Sequence, residues 1–176
     1  MVCEALIKCN LLMVTETEIS SMPNIPVNSA KKIAIACDHG GLEMKVALID
    51  MLAKDGYDVL DMGTNKTESV DYSDYAYELS RALIEGKASR GVLICGSGIG
   101  ISIAANRFPQ IRAALIHDAL GAKLCREHNN ANVIAFGGRV LGIETARDCL
   151  NVFLNTDFEG GRHERRVAKL LNPPLT

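Results

Sequence analysis

The chain has 176 residues, 48% hydrophobic and 23% charged, the composition of one globular domain and not of a disordered or fibrous protein. Nineteen Lys and Arg against 21 Asp and Glu leave a formal net charge of −2, so no global positive field collects nucleic acid or an anionic membrane, and any anion site must be local. No apolar run approaches the roughly 18 residues that a membrane span needs. Met1 to Val14, interrupted by Glu4, Lys8 and Asn10, lacks the pattern of a secretory signal. The six cysteines stand singly, without the paired spacing of a zinc site or the small secreted format of a disulfide scaffold, which points to a reducing, cytoplasmic compartment.

In chain order, the Ser-, Pro- and Asn-rich stretch from Thr15 to Ala30 has no sustained period, so residues 1–30 are expected to be a loosely ordered extension of a domain covering 31–172. The first predicted strand is Lys32 to Cys37, followed by a helix from Leu42 to Lys54 with apolar residues at helical spacing. A strand at Tyr57 to Met62 and a helix at Tyr72 to Glu85 come next. Gly91 to Cys95 is a third strand, with a glycine loop and a helix through Asn106 after it. Two further units follow: Arg112 to His117 with a helix from Ala119 to Glu127, and Asn132 to Phe136 with a helix from Ile143 to Leu154. Strands apolar on both faces and alternating with helices require a parallel sheet covered on two sides, here a five-stranded, three-layer α/β/α sandwich.

Ligands of such sheets bind beyond the carboxyl ends of the strands, where the chain carries Cys37-Asp38-His39-Gly40-Gly41, Cys95-Gly96-Ser97-Gly98-Ile99-Gly100 and Gly137-Gly138-Arg139. The glycine loop turns N–H groups outward at a helix N-terminus, an arrangement that stabilises negative charge. Cys95, beside that positive end, is either a base or nucleophile or a small buried hydrophobe. The dinucleotide fingerprint fails, because Ile101 stands where G-x-G-x-x-G requires its third glycine. Asp38 and His39 suit acid–base work, or Asp38 is a helix cap. Tyr72 starts a helix as a half-buried aromatic. His128, before Asn129 and Asn130, reads from spacing as a histidine at a helix C-terminus, and His117 is given no role. Arg162, Arg166 and Lys169, spaced i, i+4 and i+7, form one cationic face if helical, with His163 beside it. That face is either solvated surface or a phosphate site.

Taken together, Cys37 to Gly41, Asp71-Tyr72, Leu93 to Asn106, His128-Asn129-Asn130-Ala131-Asn132 and Gly160-Gly161-Arg162-His163 resemble the ribose-5-phosphate isomerase B family from about Lys31 to Leu171. The resemblance implies a Rossmann-like fold, an aldose–ketose isomerase of ribose 5-phosphate and ribulose 5-phosphate without metal or organic cofactor, and a homodimer whose sites are shared between subunits, with tetramers left open. It implies Cys95 as the proton-shuttling base, since Ile101 occupies the position where another branch places a glutamate. It implies His128 as the ring-opening acid/base, reaching in from the partner with Asn129, against the structural reading that spacing favours. Ser97, with Gly96, Gly98, Ile99 and Gly100, stabilises the intermediate. Arg139, Arg162 and Arg166 bind phosphate with help from His39 and His163, and Asp38 and Tyr72 line the sugar site. Isomerases of allose 6-phosphate or galactose 6-phosphate, and a non-catalytic sugar-phosphate binder, are the alternatives.

Overall fold

The computed structural model describes residues 32–171, and the expected extension lies outside them. Five parallel strands, β1 (Lys32–Cys37), β2 (Asp58–Asp61), β3 (Arg90–Cys95), β4 (Ala113–Leu115) and β5 (Val133–Gly137), form one sheet in the order β2-β1-β3-β5-β4. Around it lie α1 (Leu42–Lys54), α2 (Tyr72–Ile84), α3 (Ile99–Ala105), α4 (Ala119–Asn129), α5 (Ile143–Asn155) and α6 (Glu164–Leu171). Successive strand side chains point to opposite faces, and the core divides accordingly. Ile33, Ile35, Val92, Ile94, Ile134 and Phe136 pack with Leu48, Leu52, Leu150 and Phe153 of α1 and α5 on one face. Ala34, Ala36, Leu93, Val133 and Ala135 pack with Leu79, Ile101 and Ala104 of α2 and α3 on the other. Each large apolar side chain so buried contributes about 1.5–3 kcal/mol, and covering both faces explains strands that read as unbroken apolar runs.

The three-layer parallel sandwich expected from the sequence is the observed architecture. The strand expected at Arg112 to His117 is shorter, because β4 is an edge strand with every residue only partly buried and its pairing to β5 covers Ala113 to Leu115. Arg162 does not extend the cationic helical face. It lies in a 3₁₀ turn, Gly161–His163, and only Arg166 and Lys169 belong to α6. Strand order reverses at β1 and β3, from which the chain departs in opposite directions, and in open parallel sheets the crevice at that switch point is where ligands bind.

Candidate active site

The first cluster is built by the segments leaving β1, β3 and β5. Cys95 is the last residue of β3, 3% exposed, and its sulfur accepts the backbone N–H of Gly98 at 3.1 Å. Gly98 adopts φ 77°, which glycine reaches without the clash a Cβ brings. Ser97 Oγ accepts the Ile99 N–H at 3.3 Å as α3 begins. The loop is clamped from both sides. Gly138 and Arg139 donate backbone N–H groups to the Cys95 and Gly96 carbonyls at 2.8 and 3.0 Å, and the Arg139 side chain runs across Gly96. Gly40 lies so close that a Cβ on it would stand 3.0 Å from Gly96 Cα.

Asp38 is buried, and its Oδ1 accepts the Gly40 N–H at 2.8 Å, so its capping function holds. His39 Nδ1 accepts the Val70 N–H at 3.2 Å, which leaves Nε2 to carry the proton of the neutral ring. The Tyr72 ring lies against Gly100, where a Cβ would meet Tyr72 Cζ at 2.6 Å. Asp38, His39, Tyr72, Cys95, Gly96, Ser97, Gly98, Ile99, Gly100 and Arg139 are thus gathered at one edge of the sheet. Among the other described cysteines, burial pushes Cys37 and Cys125 up to about 11 and raises Cys149, so these thiols serve the core.

The second cluster forms at the end of α4. Asn130 stops that helix at φ 48°, its N–H turned back to the Arg126 carbonyl. The His128 ring stacks on His163, centroids 4.4 Å apart and planes 5° from parallel. Arg162 Nε donates to His163 Nε2 at 3.1 Å. Glu159 Oε2 lies 3.4 Å from His163 Nε2 and 4.0 Å from His128 Nε2. A cavity of about 310 Å³ opens here between His128, Asn129, His163, Arg166, Val167 and Leu170. Burial, the adjacent His128 and the Arg162 guanidinium lower the His163 pKa against the opposing pull of Glu159.

The two clusters lie at opposite edges of the sheet. Cys95 is paired with Gly137 at the carboxyl end of β5, whereas His128 precedes the amino end of that strand at Val133. The length of β5 alone places roughly 13 Å between them, at about 3.3 Å per residue. Arg139 accordingly parts from Arg162 and Arg166. One cluster offers a buried thiol that accepts the Gly98 N–H at the start of α3, suited to moving a carbon-bound proton next to a developing oxyanion. The other offers imidazoles and guanidinium groups, suited to oxygen protonation and anion binding.

Residues that sequence reasoning missed include Glu159, Val70 and Lys45. Lys45 of α1, fully buried, donates to both Asp61 oxygens, the Thr64 carbonyl and Asn65 Oδ1 at 2.8–3.0 Å, fastening the loop that carries Val70 to His39. For Glu159 the sequence offered its place just before Gly160-Gly161 and four residues ahead of His163, but not its approach to His128, which belongs to α4.

Residues 33–170 match the family model described as Ribose/Galactose Isomerase. The chain is 45% identical over 140 residues to ribose-5-phosphate isomerase B of Escherichia coli, covering 80% of this chain and 94% of that protein. It is 42% identical over 139 residues to D-erythrulose-4-phosphate isomerase of Pectobacterium atrosepticum, covering 78% and 91%. The solved structure of Clostridium thermocellum ribose-5-phosphate isomerase B superposes with a TM-score of 0.78 at 47% identity, covering 79% of this chain and 94% of that one.

Proposed function

This chain belongs to the ribose-5-phosphate isomerase B family and is a sugar-phosphate isomerase, and from that premise we propose that it interconverts ribose 5-phosphate and ribulose 5-phosphate in a homodimer. The observation that carries the assembly is the separation of the clusters. The His128 and Cys95 groups, which must meet one substrate, stand at opposite edges of a single chain. A two-fold arrangement sets the His128 edge of one copy against the Cys95 edge of the other, giving two equivalent sites.

In that composite site the open-chain sugar phosphate lies across the β3–α3 loop. His128 gives a proton to the ring oxygen and takes one back from the anomeric hydroxyl, so that the carbonyl is formed and the imidazole returns to its starting form. The Cys95 thiolate then takes the proton from C2 of the aldose and returns it to C1. A proton moves from O2 to O1 in the same interval. The enediolate between these steps is held by the N–H groups of the Gly96–Gly100 loop other than those of Gly98 and Ile99, which Cys95 Sγ and Ser97 Oγ engage, each well-placed donor supplying about 3 kcal/mol. Arg162 and Arg166 take the phosphate from one copy and Arg139 from the other, while Asp38, His39, Tyr72 and Asn129 orient the hydroxyls, so that remote binding energy positions the reacting carbons. The proton transfer is internally redox-neutral, so no electron acceptor is required.

The similarity to an erythrulose-phosphate isomerase makes chain length the open choice of substrate. Purified protein assayed in EDTA with ribose 5-phosphate, D-erythrulose 4-phosphate, allose 6-phosphate and galactose 6-phosphate decides it. The expected result is the highest kcat/KM on ribose 5-phosphate, and a higher value on another sugar would reassign the substrate.

A further inference from the structure

Glu159 carries a consequence beyond the reading above and rests on that reading for the role of His128. Its backbone N–H donates to the Glu127 carbonyl at 3.1 Å, which pins the segment after α5 to the last turn of α4, one residue before His128. Beyond it, Gly160 at φ 66°, ψ −143° and Gly161 at φ 55° turn the chain back, bringing His163 onto the His128 ring. The carboxylate therefore arrives by backbone geometry and not by the chance reach of a long side chain.

The charged groups around His128 come from three segments. On α4, Glu127 is engaged by Lys123 at 3.4 Å and Arg126 is turned inward to Asn130 and Ala131. Beyond the Gly160–Gly161 turn stand Arg162, His163 and Arg166, while Glu164 is held by the Gly161 N–H. Glu159 is the remaining carboxylate, and it faces both rings. His163 Nε2 already accepts from Arg162, so that nitrogen has no proton for Glu159 although it lies nearer, and the ring left to form an ion pair with the carboxylate is His128, its Nε2 4.0 Å away.

Two parallel imidazoles 4.4 Å apart beside two guanidinium groups do not hold two protons at once, and their titrations are coupled. We propose that Glu159 is the positioning residue of the ring-opening half-site, its carboxylate assigning the one proton of the stacked pair to His128 and holding that ring in its acid form. His163, buried and occupied by Arg162, is the neutral member.

The test is Glu159→Gln, which keeps the backbone bond to Glu127 and removes the charge. The NMR titration of the His128 ring, assigned by its disappearance in His128→Asn, is expected to move down by about half a pH unit, as befits a half-exposed pair. The high-pH limb of kcat/KM should move down with it, with unchanged melting temperature and with Glu159→Asp restoring part of the shift. An unmoved His128 titration overturns the proposal, as does a melting-temperature loss with the pH profile unchanged. The ring titration needs no substrate, so a failure of ribose 5-phosphate turnover in the wild type would count against the isomerase reading alone.

Discussion

Gly98 gives its N–H to the Cys95 sulfur at 3.1 Å from a backbone conformation with φ 77°. A Cβ at this glycine would also meet Leu115 Cδ1 at 2.5 Å and the Phe136 backbone at 2.8 Å. The left-handed conformation costs a non-glycine residue about 1–2 kcal/mol, and overpacking a filled core costs about 1–3 more. Gly98→Ala is therefore expected to lower unfolding free energy by roughly 3 kcal/mol, read as a lower urea midpoint, together with a loss of more than about 100-fold in kcat.

Replacing Cys95 by alanine or serine removes the proposed base and leaves the loop's N–H groups and the guanidinium groups in place. Turnover is expected to fall by at least about 10²–10⁴-fold, while calorimetry still detects binding of a sugar phosphate. Undiminished turnover in Cys95→Ala sinks the assignment of the base.

Because the clusters belong to different edges, damage to each can be placed on different chains. Cys95→Ala and His128→Asn are expected to be inactive alone. When co-refolded in equal amounts they should recover about a quarter of wild-type activity, since random pairing leaves one intact site in half of the dimers. No recovery, with mixed dimers demonstrated by mass spectrometry, contradicts a shared site.

The lowered His163 pKa has a signed consequence for stability. The folded protein takes up this proton at lower pH than the unfolded chain, whose histidine titrates near 6.5. The unfolded state thus binds more protons as pH falls, and the contribution of His163, complete above pH 6.5, is lost progressively below it. His163→Gln is expected to flatten the fall in melting temperature between pH 7.5 and 5, measured against wild type by differential scanning calorimetry.

Lys45 is fully buried and bound to four acceptor atoms. Lys45→Met conserves length but abandons Asp61, the Thr64 carbonyl and Asn65. Breaking a buried pair costs about 3–5 kcal/mol, and the low end, about 3 kcal/mol, is expected because Asp61 keeps a third of its side chain in water. In denaturant titrations the midpoint should drop accordingly. In kinetics KM should rise more than kcat falls, since the loop that orients His39 is loosened while Cys95 is untouched.

The apolar runs Lys32 to Cys37, Gly91 to Cys95 and Asn132 to Phe136 determined by themselves a parallel sheet covered on both faces, because periodicity is a property of neighbouring residues and needs no knowledge of partners. The chemistry at the strand ends, Asp38, Cys95 to Gly100 and Arg139, was legible for the same reason, once the sheet was known to be parallel. Tertiary structure alone decided that β5 enters between β3 and β4, since strand pairing is set by long-range packing. That insertion brings Gly138 and Arg139 onto the Cys95 loop and sends His128, Glu159 and His163 to the far edge. Spacing favoured a structural His128 because its neighbours along the chain are only helix-stop asparagines. The stacked ring and the carboxylate that give it a chemical setting arrive from beyond α5, through contacts no local pattern encodes.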